Sequence, residues 1–305
     1  MKPNIKNILI IADIEGSSGC WSYAASSFMT DPWCNACVDM SQDVNAVARH
    51  LFNSGVEHIT VKDFHRTGYN ILPDMIDPRV KIVSGYRRGP VPGIGHPGNA
   101  RAALFLGMHA ASGTDGFLAH TLTSRVEKLL VNGKPMAEIE LFSASLAPLG
   151  IRPIFFSGCP LACKQAQQSI ANIDVYPIDK SPGAEKFEKE LWRDGLGHAA
   201  AESLKNESTV PYTPGGPFNA VIYMRDGEKA AVRIAKRWGF RHADNRIFIK
   251  SDDIHLLYLH LVRICYLTPM IERILPAALL IYNLWGQIGQ IRARRKLKNR
   301  LRDVV

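Results

Sequence analysis

The chain reads as an α/β protein built on a mainly parallel sheet with helices on both faces, a metal site at the carboxyl ends of the strands and a helical extension at the C-terminus. Apolar runs of strand length alternate with amphipathic helical stretches over most of its length. Alternation of this kind makes a parallel sheet with helical crossovers the default architecture. Titratable residues also recur just where several of the apolar runs end, and in open α/β sheets that edge is where ligands bind.

The strand-like runs are residues 7–13 (NILIIAD), 58–63, 80–85, 103–109, 152–158, 219–224 and 246–250. Helical patterns occupy 40–55, closed by Gly55, then 136–150, closed by Gly150, 161–170, 185–206 and 228–239, closed by Gly239. Asn132-Gly133 between apolar flanks predicts a hairpin through a type I′ turn. Residues 87–100, RRGPVPGIGHPGNA, must form a loop, long enough to serve as a lid or substrate-facing edge.

With 305 residues, 46% of them hydrophobic, the chain can bury a full core and has the proportions of a globular protein. Its net charge of +9 is concentrated at one end: residues 291–305 hold seven Lys or Arg and one Asp, a net +6. The nearly balanced remainder has no basic groove for phosphates, so nucleic acid is not expected as a partner. The basic start of the N-terminus is followed at once by Asp13 and Glu15, where a signal peptide needs small residues, so a cytoplasmic location is expected. There the six cysteines should stay reduced. Cys34-Asn-Ala-Cys37 and Cys159-Pro-Leu-Ala-Cys163 admit a soft-metal reading, but buried core cysteines beside helices explain them better.

The first strand ends Asp13-Ile-Glu15-Gly16, and residues two apart on an extended chain face the same side. Asp63-Phe-His65 repeats the period at the second strand end. The fourth ends at His109, His120 follows in FLAHTL, and Glu138 opens the helix after the hairpin. Singly, each has an ordinary explanation: a cap, a satisfied core histidine, a first-turn Glu favoured by the helix dipole. Together, three strand ends deliver carboxylate or imidazole to one edge, a set that suits zinc, cobalt or manganese. Charge balance favours two ions. Asp13, Glu15 and Glu138 bring −3, and two divalent ions would leave +1, with a shared carboxylate and a bridging water spanning ions about 3.5–4 Å apart. Asp63 could accept from an imidazole, or simply cap the following turn.

The segments IADIEGSSG (11–19), MSQDVNAVARHLFNSG (40–55), VKDFHR (61–66), ARAALFLGMHA (100–110), GFLAHTL (116–122) and VNGKPMAEIEL (131–141) resemble, in order and spacing, the M55 metallopeptidases, the D-aminopeptidases of the DppA type. The likeness covers roughly residues 6–265 and is strongest in the first 145. It implies that Asp13, Glu15, His65, His109 and Glu138 bind two zinc ions per chain and that His120 is the catalytic histidine, labelled a nucleophile in the family. Chemistry alone casts His120 as a general acid/base or oxyanion partner, because metal-activated water already supplies the nucleophile. The resemblance further implies hydrolysis of short peptides, with a D-residue at the amino terminus, in a homo-oligomer. The rivals are another amide or ester hydrolase on the same metal centre, and a membrane-associated binding protein with a degenerate site.

Residues 1–268 are thus expected to form the catalytic region and 269–305 a tail. From Ile274 to Ile291 the tail has no charge, but Pro276, Asn283, Gln287 and Gln290 interrupt the apolar run that a membrane span needs. Two readings stand side by side: an interfacial helix that brings the basic end to an anionic membrane, peripherally on the inner face, and a helix that packs in an oligomer.

Overall fold

The computed structural model describes residues 5–89 and 91–303, with side chains described as far as residue 298. In chain order the elements are β1 (Asn7–Ala12), α1 (Tyr23–Ser26), α2 (Asp31–Asn53), β2 (His58–Asp63), β3 (Lys81–Val83), β4 (Ala102–Met108), β5 (Val126–Val131), β6 (Lys134–Pro135), α3 (Glu138–Leu146), β7 (Arg152–Gly158), α4 (Pro160–Ser169) and β8 (Asp174–Pro177). They continue with α5 (Lys189–Glu202), β9 (Phe218–Met224), α6 (Glu228–Trp238), β10 (Arg241–Ala243), β11 (Arg246–Ser251), α7 (Ile254–Tyr266), α8 (Pro269–Arg273) and α9 (Leu275–Asp303).

Six parallel strands form the central sheet in the order β3-β2-β1-β4-β7-β8. The period of two in β1 explains why its residues 8–12 are all apolar. Ile8, Ile10 and Ala12 pack with residues of α2 and α5, whereas Leu9 and Ile11 face the opposite side with residues of α3 and α4. Chain order runs outward from β1 in one direction and from β4 in the other. The seam between them is therefore a switch point, open at its carboxyl end.

The strands predicted at 219–224 and 246–250 join a separate five-stranded sheet, β10-β11-β9-β5-β6, whose pairings are antiparallel. Their inward residues alternate: Phe218, Ala220, Ile222 and Met224 on β9, Ile247 and Ile249 on β11. Such one-sided burial is what an antiparallel layer packed on one face requires. The β5–β6 hairpin turns at Asn132 and Gly133, φ 49° and 81°, as the Asn-Gly pair predicts.

Two other readings are revised. The helix expected from residue 40 starts at Asp31, because Thr30 caps it by accepting from Trp33 N and Pro32 occupies the first turn. This places Cys34 and Cys37 on its buried side, and all six cysteines are free thiols in the interior. The 87–100 loop is anchored at part of its length, with Arg87, Arg88 and His96 exposed. Val91 and Ile94 are buried, and Tyr258 Oη donates to Pro92 O at 3.1 Å.

In the tail the short α8 is followed by one long helix, α9, laid along the body. Ala293 is fully buried, Arg292 and Lys296 pair with Asp31 at 3.2 and 3.1 Å, and Arg294 grips Asp74. Part of the tail's positive charge is therefore neutralised within the chain. Leu280, Ile281, Leu284, Ile288 and Ile291 remain exposed on the outer face, and no helix among the described residues is long and apolar enough to cross a membrane.

The β1–β4 seam closes only because two residues lack a Cβ. Gly107, at φ 69°, would place one 2.2 Å from Asp13 O, and Gly16 would place one 2.2 Å from Met108 O. Gly107→Ala should therefore cost about 2–4 kcal/mol, from positive-φ strain and the forced backbone shift together. The check is a lower urea midpoint at unchanged m-value; a stability equal to wild type would show that the seam can open without penalty.

Candidate metal centre

Every residue proposed from the sequence as a ligand is buried at the carboxyl end of the central sheet: Asp13 and Glu15 beyond β1, His65 beyond β2, His109 beyond β4 and Glu138 at the first position of α3. The backbone sets their approach. Asp13 N donates to Leu106 O at 2.8 Å and Gly16 N to Gly107 O at 2.7 Å, so the ends of β1 and β4 are stitched together beside the residues they present.

Asp13 stands at the centre. Its Oδ1 lies 3.1 Å from His65 Nδ1, while its Oδ2 lies 3.4 Å from His109 Nε2. His65 Nδ1 is also 2.9 Å from Glu15 Oε2, and His109 Nε2 is 3.6 Å from Glu138 Oε1. Two donor sets result, Asp13–Glu15–His65 and His109–His120–Glu138, each with one ligand atom per residue and all three within 4.8 Å of one another.

The remaining imidazole nitrogens are committed elsewhere. His65 Nε2 meets Ser26 O at 2.8 Å and His109 Nδ1 meets Ala110 O at 3.1 Å. A carbonyl oxygen only accepts, so the N–H of each neutral ring points at its carbonyl and the lone pair faces the carboxylates. Lone pairs aimed at anions are repulsive unless a proton or a metal ion stands between. Consistent with this, His109 Nε2 and Glu15 Oε2 are buried without a hydrogen bond.

The electrostatics carry the same demand for positive charge. Burial disfavours the charged form of His65, yet Glu15 and Asp13 outweigh it and hold its pKa well above the ordinary imidazole value. His109 is likewise raised to about 10, burial being overcome by Glu138 and Asp13. Burial pushes Glu15 upward, aided by the charge of Asp13, and it pushes Glu138 upward too. Asp13 falls well below its usual range: burial opposes this, but the neighbouring imidazoles of His109 and His65 prevail. In the protonated cluster, imidazolium protons occupy the positions a divalent cation would take.

His120 differs from these residues. Its ring stacks on His109 with centroids 3.8 Å apart and planes 12° apart, and its Nδ1 donates to Leu118 O at 2.9 Å. Burial and the adjacent His109 pull its pKa down to about 4, leaving it neutral near pH 7. The backbone beside it is strained: Leu118 and Leu122 adopt φ of 47° and 63°, rare for a γ-branched residue. In that conformation Leu122 N donates to Glu138 Oε1 at 2.7 Å, holding the carboxylate that faces His109.

Of the two roles open to Asp63, the turn-capping one holds. Its oxygens accept from Ile71 N at 2.9 Å, Asn70 Nδ2 at 2.8 Å and Asn70 N. Support for His65 comes instead from Asn70, whose Nδ2 also donates to His65 O at 2.7 Å, and from the Ser26 carbonyl. A main-chain acceptor leaves no mark in a sequence. Asn70 left only a faint one, an Asn just past a strand end.

Fold and site together define an α/β protein with a buried carboxylate–imidazole cluster of metal-ligand type at its switch point. The chain belongs to the M55 peptidase family, described as D-aminopeptidase, whose model matches residues 6–261. A D-aminopeptidase of Bacillus subtilis (strain 168) is 27% identical over 142 residues, 47% of this chain and 52% of that protein, so the chain aligns with about half the length of this curated relative. The solved Zn-dependent D-aminopeptidase DppA from Bacillus subtilis, a self-compartmentalizing protease, shares the fold with a TM-score of 0.77 at 20% identity, over 85% of this chain and 96% of that one.

Buried carboxylates and imidazoles of metal-ligand type should make stability depend on metal. Stripping divalent ions should lower the melting temperature, and zinc at 100 times its dissociation constant should return about 2.7 kcal/mol, a rise of several degrees. Calcium at the same concentration should not substitute, because imidazoles do not suit it. A melting curve indifferent to both would argue that protons alone balance the cluster.

Proposed function

We propose that the chain is a zinc-dependent aminopeptidase that holds two zinc ions and removes the N-terminal residue, in the D configuration, from short peptides. The observation that carries this reading is the placement of Asp13, with one carboxylate oxygen toward His65 and the other toward His109. Asp13 would be the shared ligand, Glu15 and His65 completing one site and His109 and Glu138 the other. The D configuration and zinc itself rest on the family and on the proteins it resembles. The catalytic region is assigned to residues 1–268, with 269–305 as an appended helical tail, and the working form is taken to be a homo-oligomer.

Zinc bound there supplies a Lewis acid for the scissile carbonyl and brings the pKa of water toward neutrality. The rest falls to the chain's own groups. Because Nδ1–H of His120 is committed to Leu118 O, its Nε2 carries a lone pair; it takes a proton first and then returns it to the leaving amine. Stacking on His109 and the hydrogen bond to Leu118 fix the ring, so little orientation need be lost on reaction. The free amine of the peptide would be held by an acidic group or by the metal itself.

The reading is tested by zinc content and by hydrolysis of a panel of L- and D-alanyl peptides. Two zinc ions and a preference for the D series are expected; zinc with cleavage of other amides or esters alone would favour a different hydrolase. Asp13→Ala should remove both ions together, whereas His65→Ala and His109→Ala should each weaken one site more than the other. Two zinc ions retained in Asp13→Ala would sink the shared-ligand assignment.

His120→Ala should leave zinc near the wild-type content while lowering kcat about 10²–10⁴-fold. Loss of metal instead would place His120 with His109 and Glu138 as a ligand and remove its acid/base role.

A further inference from the structure

Helix α9 lies beyond the stretch matched by the family, yet it rests on the segments that hold one side of the metal centre. The contact is close by design of the sequence. A Cβ on Gly286 would fall 2.3 Å from the Tyr69 ring, and one on Gly289 would fall 2.3 Å from the Phe28 ring. Glycine is a poor helix residue, so two on one side of a helix are accounted for by close approach. Trp285 packs its ring 5.8 Å from that of Phe28, and Gln290 Nε2 donates to Ile71 O at 2.7 Å.

The two clamped segments, 26–28 and 69–71, are those that orient His65. Ser26 O accepts from His65 Nε2 at 2.8 Å and from Arg66 Nε at 2.9 Å. Asn70 donates to His65 O and accepts from Trp33 Nε1 at 2.8 Å, while Ile71 N binds Asp63. The other donor set takes its orienting partners from a different segment: Ala110 O for His109, Leu118 O for His120 and Leu122 N for Glu138.

We propose that α9 is a positioning element for the His65 side of the metal centre, acting through the Ser26 carbonyl and Asn70. Trp285 and Gln290 press the two segments onto the histidine, keeping its ring turned toward Asp13 and Glu15. Groups that orient a ligand typically govern metal affinity by 10–100-fold, so a helix outside the common family stretch sets the affinity of one ion and leaves the other alone.

The inference rests on the two-ion reading, and the experiment separates the two. Stepwise zinc affinities of the full-length chain are measured by chelator competition in wild type, Trp285→Ala/Gln290→Ala, Gln290→Ala, Trp285→Phe, His65→Ala and His109→Ala, with cobalt(II) absorption as a second readout. The double variant should weaken one step about 10–100-fold, the step that His65→Ala loses, and hold the other within about twofold. Gln290→Ala should show a smaller loss at that step, and keeps the idea open to test if the double variant misfolds. Trp285→Phe, which keeps a ring on Phe28, should restore most of the affinity, and the cobalt spectrum should change for one equivalent only. Unchanged steps, or equal weakening of both in parallel with the melting temperature, would overturn the proposal while leaving two-ion binding intact. Fewer than two ions in wild type would overturn the two-ion reading and this inference with it.

Discussion

Three carboxylates buried within reach of one another cannot all stay ionised unless positive charge stands among them. Asp13, Glu15 and Glu138 impose that condition here, and much of the fold's detail follows from meeting it. His65 and His109 are held with their remaining nitrogens facing the acids because main-chain carbonyls engage the opposite side of each ring. Bringing acids and imidazoles together in turn requires β1 and β4 to end side by side. They can do so because Gly16 and Gly107 let the two backbones touch. The charge demand, the glycine seam and the switch in strand order are thus one device seen at three scales.

Much of this was legible because strand ends announce themselves. A strand-like run closing in Asp-x-Glu or Asp-x-His specifies both an element and the direction of its last side chains, and Asp13, Glu15 and His65 are buried where that reasoning put them. His109 was visible for the same reason. The alternation of strands with helical patterns did not set 219–224 and 246–250 apart as a second, antiparallel sheet. The discriminating signal was the period of two within those segments, polar or half-buried residues between Phe218, Ala220, Ile222 and Met224. The start of α2 was missed because Pro32 reads as a helix breaker, although after a capping Thr30 it is at home in the first turn.

The tail shows a different kind of illegibility. Asn283, Gln287 and Gln290 read as blemishes in an apolar run, and Gly286 and Gly289 as weak helix residues. In the folded chain they are contact residues: Gln290 meets Ile71 O, the two glycines admit aromatic rings, and Asn283 lies against Gly85. A periodicity argument divides a helix into apolar and polar faces. It has no way to see a face that is polar and small because it packs on loops, where backbone carbonyls need donors. The basic cluster misleads similarly, since Arg292, Arg294 and Lys296 spend their charge on Asp31 and Asp74.

The stacking of His109 on His120 ties the charge of one imidazole to that of the other. Two imidazoles stacked at 3.8 Å repel each other strongly if both are cationic, so positive charge on one keeps the other neutral. Glu138 and Asp13 decide which: they draw positive charge to His109, and burial with that neighbour strips it from His120. The group left neutral is the one whose lone pair remains uncommitted, because Leu118 O has taken its only N–H. The acids that draw positive charge to His109 therefore also keep the imidazole stacked on it neutral. The strain at Leu118 and Leu122 falls on the residues that keep this stack and Glu138 in register, which gives a physical reason for the chain to tolerate positive φ there.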